Sequence, residues 1–192
     1  MAEIIDRLRL DHQRFRQLLS QLETVAENVN SGDAGAEDRL FCMIEYLKDY
    51  PHEVHHPIED LVFAQVLEKA LSEAQRNIIT DNAREHRALE RETEALFNNI
   101  GAADALNSSQ IAAYIAHQNE HMDREERDVF PLAEEILTRD DLSILEEQHG
   151  RLHDPLFDAA ERRFSALFEC LDTKGLDLGA DAVASFLSAT GR

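Results

Sequence analysis

Apolar residues recur at steps of three and four through four long stretches of this chain, and that spacing fits amphipathic helices and little else. The first stretch runs Ile5, Leu8, Phe15, Leu19, Leu22, Ala26 and Val29, with His12 filling the place between Leu8 and Phe15. Ser31, Gly32, Asp33 and Gly35 close it. The second begins near Ala36 with Leu40, Ile44 and Leu47 and continues through Ile58, Val62 and Val66, interrupted by Pro51 and Pro57. A proline inside a helix removes a hydrogen bond and clashes with the turn before it, so a kink, or two consecutive helices, is expected between Tyr50 and Ile58.

Ser72 with Gln75 three residues on is a capping-box signature, and a third stripe comes next in Ile79, Ala83, Leu89, Thr93, Leu96 and Ile100, with His86 inside it and Gly101 at the expected C′ position. After Asn107, Ser108 and Ser109 the fourth stripe carries Ile111, Tyr114, Ile115, Met122, Val129 and Leu132, and Pro131 falls near its end. Four such helices on short connections predict an all-α, up-down-up-down four-helix bundle over residues 1–137. Residues 138–192 read as a helical extension packed on the same domain, helical over roughly Asp140 to Leu171, with a break near Pro155.

Composition narrows the function. Lys and Arg number 19 against 39 Asp and Glu, a formal charge of −20 that repels phosphate backbones and anionic lipid surfaces. No nucleic-acid partner and no membrane association are expected. There is no long apolar run, and the first residues mix charges into what a signal peptide would keep apolar, so the chain reads as cytoplasmic. Cys42 and Cys170 lie far apart outside any CxxC spacing and read as small packed hydrophobes. GxGxxG, phosphate-loop and GxSxG signatures are missing.

What remains unusual is where the histidines fall. His12, His55 with Glu59, His86, and His121 with Glu125 all lie on stripes that face one bundle interior. A lone histidine on such a face is ordinary core. Four imidazoles and two carboxylates buried together without partners would cost several kcal/mol per unpaired charge, and a metal centre satisfies them jointly. Each HxxxE pair puts a nitrogen and a carboxylate on one helix face, and two carboxylates can bridge two ions. Mixed nitrogen and carboxylate ligation suits a pair of irons, with manganese or zinc as alternatives.

Helix geometry, at roughly 100° per residue, ranks the neighbours. On the fourth helix His117 falls roughly 100° and Glu126 about 80° off the stripe, which makes both flank or surface residues. On the second, His55 lies closest to the stripe, His52 and Glu59 are near it and His56 is at its edge. A kink at Pro57 turns His56 inward as an extra ligand, and leaves His52 to orient a ligand by hydrogen bonding. His149 and His153, beside Pro155, read as a solvated helix end.

These residues resemble the hemerythrin-like, histidine-histidine-glutamate cation-binding domains. LRLDH around His12, HHPIED from His55 to Asp60, EH at Glu85 and His86, and HMDREERDVFP from His121 to Pro131 are similar to that family's four ligand-bearing segments, in the same order over about residues 3 to 137. The resemblance implies a bundle around an oxo- or hydroxo-bridged pair of non-haem irons. Glu59 and Glu125 would bridge, His12, His55, His86 and His121 would be terminal ligands, and His56 stands where some members place another. The oxygen carriers of that family have two ligating histidines four residues apart on the third helix; here only His86 matches, with Asn82 and Glu90 at that spacing, which argues against simple reversible oxygen carriage.

The function this set of residues suggests is that of a protein that binds or senses dioxygen, nitric oxide or redox state. Two alternatives stand beside it: a di-iron redox enzyme turning over peroxide or nitric oxide with a redox partner protein, and iron storage or delivery. For the last, Glu53/His56 and Glu146/His149 have the ExxH spacing of ferritin-type sites, but the two further glutamates are not apparent.

Overall fold

A computed structural model describes residues 3–32, 35–99 and 108–152. All of its regular structure is helical: α1 (Glu3–Asn30), α2 (Ala36–Tyr50), a π-helical turn (Pro51–His55), α3 (His56–Leu67), α4 (Glu73–Asn99), α5 (Ser108–Arg124), a second π-helical turn (Glu125–Val129), α6 (Phe130–Ile136) and α7 (Arg139–Leu152). Helix α1 packs on α2 and α5, and α4 packs on α2, α3 and α5, which closes the four-sided bundle. The first helix stops where the glycines predict: Gly32 takes φ +77°, and its N–H bonds the Val29 carbonyl.

The interruption expected between Tyr50 and Ile58 is the first π-turn. Pro57 carries no N–H, and its ring would clash with the Glu53 carbonyl in an ideal helix. The wider turn absorbs this, with the His56 N–H reaching back five residues to the Pro51 carbonyl. The same device recurs before Pro131, where the Phe130 N–H bonds the Glu125 carbonyl. Helices α2 to α3 and α5 to α6 are therefore two long, nearly continuous rods, each with one extra residue wound into it.

The core is formed by the four stripes: Ile5, Leu8, Leu19 and Leu22 of α1 meet Leu40, Ile44, Ile58, Val62, Ile79 and Val129, all essentially without solvent exposure. Helix α7 lies against α3, and its first turn is pinned by Asp141, which accepts hydrogen bonds from Thr138 N and Oγ1, Gln65 Nε2 and Lys69 Nζ. The Thr138/Asp141 capping box has the same logic as that of Ser72 and Gln75, although Asp takes the place of Glu or Gln. Ile100, Gly101, His153, Pro155 and Cys170 lie outside the described residues, as does the helix expected beyond Leu152. Among the described residues no helix is long and apolar enough to cross a membrane.

The Ser72/Gln75 box is present: Ser72 N and Oγ donate to Gln75 Oε1 at 3.0 and 2.9 Å, while Ser72 Oγ accepts from Gln75 N at 3.3 Å. Ser72→Ala should therefore cost about 1 kcal/mol, a fall of roughly 2–4 °C in melting temperature measured by circular dichroism, with helix content unchanged.

Candidate metal centre

Two rows of side chains face each other midway along the bundle. On one side are His12 from α1 and His55 from the first π-turn; on the other are His86 from α4 and His121 from α5. Glu59, one turn into α3, and Glu125, the first residue of the second π-turn, lie between them with no solvent exposure at all.

Each carboxylate reaches both rows. Glu59 Oε1 lies 3.3 Å from His55 Nε2 and its Oε2 3.3 Å from His86 Nε2. Glu125 Oε2 lies 3.1 Å from His12 Nε2, and its Oε1 is 3.3 Å from His86 Nε2 and 3.1 Å from His121 Nε2. His12 and His55 also bring their Nε2 atoms within 3.2 Å of each other. Donor atoms of His12, His55, Glu59 and Glu125 fall within 4.8 Å of one another, and so do those of His56, His86 and His121. The seven residues singled out from the sequence thus converge in two adjoining groups.

His56 joins through the geometry of the π-turn. One extra residue wound into the helix rotates the residues after it by about 100° relative to an ideal helix, which carries this edge residue inward. Its ring stacks on His86 with centroids 3.9 Å apart and planes 7° from parallel. His52 remains 71% exposed and is linked to the group through Glu90.

Carboxylates outside the groups hold the imidazoles in place. Asp11 Oδ2 is 3.4 Å from His55 Nδ1, Glu126 Oε1 is 3.0 Å from His12 Nδ1, and Glu85 Oε2 is 3.1 Å from His121 Nδ1. Glu90 approaches His56 Nδ1 at 3.8 Å. A carboxylate on Nδ1 fixes the ring so that Nε2 points inward, an arrangement typical of metal-bound histidines. Arginines anchor two of the four: Arg16 on Glu126 and Arg124 on Glu85. Glu126 does sit on the flank, as its angle on the helix requires, yet it is a direct partner of His12. His117 bonds Glu85 and Glu92 and lies outside both groups.

Helical periodicity misses these supporting residues because each comes from a helix next to that of the ring it holds. Asp11 precedes His12 but serves His55; Glu85 precedes His86 but serves His121. Their only sequence mark is an acid beside a stripe histidine. Asn82 stands out in the sequence only by its spacing from His86, and it is fully buried, its Nδ2 donating to Glu125 Oε1 at 2.6 Å.

The electrostatics are set by this packing. Burial alone would lower the pKa of His55, but Glu59 and Asp11 outweigh it and push it up to about 10. His121 is likewise raised to about 10 against burial, by Glu125 and Glu85. Burial prevails at His56, which falls to about 4. Hydrogen bonds from His121 and His12 hold Glu85 and Glu126 near 2, and the neighbouring His56 and His52 rings hold Glu90 there as well. Glu125 is pulled well below its ordinary value, its burial outweighed by His121 and His12.

A small chamber of about 20 Å³ opens against the groups, walled by Phe15, Leu47, Pro51, Gln118 and Met122. The amino-acid sequence matches the hemerythrin HHE cation binding domain over residues 3–133. No curated protein and no solved structure matches the chain.

The pKa directions give the metal-stripped chain a stability maximum near pH 6.5. Protonated His55 and His121 contribute fully below about pH 6.5, and that contribution is lost as pH rises through about 10. Glu85, Glu90 and Glu126 contribute fully above about pH 4.5 and lose it as pH falls through about 2, while neutral His56 penalises acid between about 6.5 and 4. The stripped protein should therefore lose roughly 5 °C or more of melting temperature between pH 7 and 10. The metal-loaded protein, where a cation does the work of the protons, should hold its melting temperature across the same range.

Proposed function

The chain belongs to the hemerythrin HHE cation-binding family, and on that premise we propose that it is a non-haem di-iron protein that binds or senses dioxygen, nitric oxide or redox state. The observation that carries the metal reading is the condition of the two buried carboxylates. Both oxygens of Glu59 and Oε2 of Glu125 make no hydrogen bond, although imidazole nitrogens stand 3.1–3.3 Å away. Leaving buried ionised oxygens in that condition costs several kcal/mol each, and cations held between the rows remove the cost. The donor set fits: His12 and His55 would serve one ion, His86 and His121 the other with His56 beside them, and Glu59 and Glu125 would bridge. Mixed imidazole and carboxylate donors suit iron ahead of zinc or manganese.

A pair of irons supplies electrons and an open coordination position for a small ligand. The chain's part is to hold and to exclude. Asp11, Glu85, Glu90 and Glu126 orient the rings. Phe15, Leu47 and Met122 keep bulk water from the chamber, whose volume suits a water-sized or diatomic guest and no organic substrate. This favours dioxygen, nitric oxide or peroxide as the partner and gives the binding reading its physical basis. The ferritin-type alternative finds no matching geometry, since Glu53 and Glu146 are exposed. We read residues 1–137 as the metal-binding bundle and 138–192 as an extension of it.

Metal analysis should find two irons per chain, and the visible spectrum of anaerobically reduced protein should change on adding dioxygen or nitric oxide. Glu59→Ala or Glu125→Ala should lower occupancy to one ion or none, since each serves both; His117→Ala should leave it unchanged. A chain that takes up no metal overturns the proposal. Sustained turnover of peroxide or nitric oxide would move the assignment to the enzyme class.

A further inference from the structure

Asn82 stands among the ligand candidates with half of its amide unused. It projects from α4 one turn before His86 and is completely buried. Its Nδ2 lies 2.6 Å from Glu125 Oε1 and 3.5 Å from His86 Nε2, while its Oδ1 has no hydrogen-bond partner. The amide faces the carboxylate with its nitrogen because two oxygens at that distance would repel. A buried carbonyl oxygen without a partner costs about 1–3 kcal/mol, and α4 could have avoided that with an apolar residue of the same size. The position of the amide nitrogen is informative as well: it faces the two donor atoms, His86 Nε2 and Glu125 Oε1, between which an ion would be shared. An N–H cannot face a cation at short range, whereas a half-turn of the same amide presents a neutral oxygen donor.

We propose that Asn82 is a further metal ligand, supplying Oδ1 to the ion held by His86, His121 and Glu125. The proposal rests on the di-iron reading of the site and adds to it a residue of a different chemical type. The amide has two settings: N–H toward Glu125 when the chain is stripped of metal, and oxygen inward when it is loaded.

The test loads the full chain with Zn²⁺, whose closed shell keeps NMR spectra readable, and follows ion count against a competing chelator. In the wild type, the Asn82 side-chain amide resonances, assigned through bonds, should shift on loading as the bond to Glu125 is given up. Asn82→Leu, similar in size but without an oxygen, should hold one of the two ions at least tenfold more weakly. Asn82→Asp keeps an oxygen but cannot donate to Glu125, and should hold both. If Asn82→Asp loses the ion as readily as Asn82→Leu, the side chain acts only as a donor to Glu125 and the ligand assignment falls. It falls equally if Asn82→Leu binds both ions as tightly as the wild type, or if the wild-type amide resonances do not move, a readout that needs no variant to fold. A wild-type chain that takes up no Zn²⁺ and no iron instead overturns the metal-centre reading itself.

Discussion

Glu59 and Glu125 are sealed from water in the middle of a helical core, and a carboxylate so placed must be neutralised from within. His55 and His121 do this partly, by holding protons well above their ordinary range: burial and charge pull the two rings in opposite directions and charge prevails. Protons alone leave the result incomplete: three of the four carboxylate oxygens find no hydrogen bond. The same side chains that would be an expensive defect in an ordinary bundle are well matched to divalent or trivalent cations. Much of the surrounding architecture serves to present them to one small volume.

The prolines belong to that requirement. Pro57 and Pro131 each come just after a π-turn, and each turn carries a candidate ligand: His55 in the first, Glu125 in the second. A five-residue bond pattern widens the helix and turns the residues beyond it by roughly a right angle, so the rods bring side chains inward that an ideal helix would leave on the edge. His56 is the clearest case. The proline that interrupts the ideal helix sets the register in which the helix can line the site.

The outer carboxylates tie the helices to one another. Asp11 of α1 holds a ring from the α2–α3 rod, Glu85 of α4 holds one from α5, and Glu126 of the α5–α6 rod holds one from α1. Rotating any helix about its axis would break a ligand's support as well as its packing. The apolar stripes fix which faces meet; these cross-helix bonds fix how the rings on those faces are turned. Part of the chain's large excess of acid is thus committed to the interior, and is not simply a solvating face.

This division explains what is legible in the sequence and what is not. The stripes, the Gly32 stop, the Ser72 cap and six of the inward-facing His and Glu residues are properties of one helix at a time, and three-and-four spacing suffices to find them, while His56 needs the proline interruption as well. The π-turns are visible only as proline interruptions, because proline says that an ideal helix fails without saying how. Asp11, Glu85, Glu126 and Asn82 acquire their roles from atoms on a neighbouring helix. No periodicity along one helix specifies those partners, and an Asn buried in a stripe looks like a tolerated core residue until the carboxylate 2.6 Å away is seen. Single-helix patterns carry the fold and locate the site, while its fine control resides in pairs that only the assembled bundle creates. His86 shows the same point: its Nε2 faces Glu59 and Glu125 at 3.3 Å and its ring stacks on His56, contacts that come from other helices and that no spacing along α4 specifies.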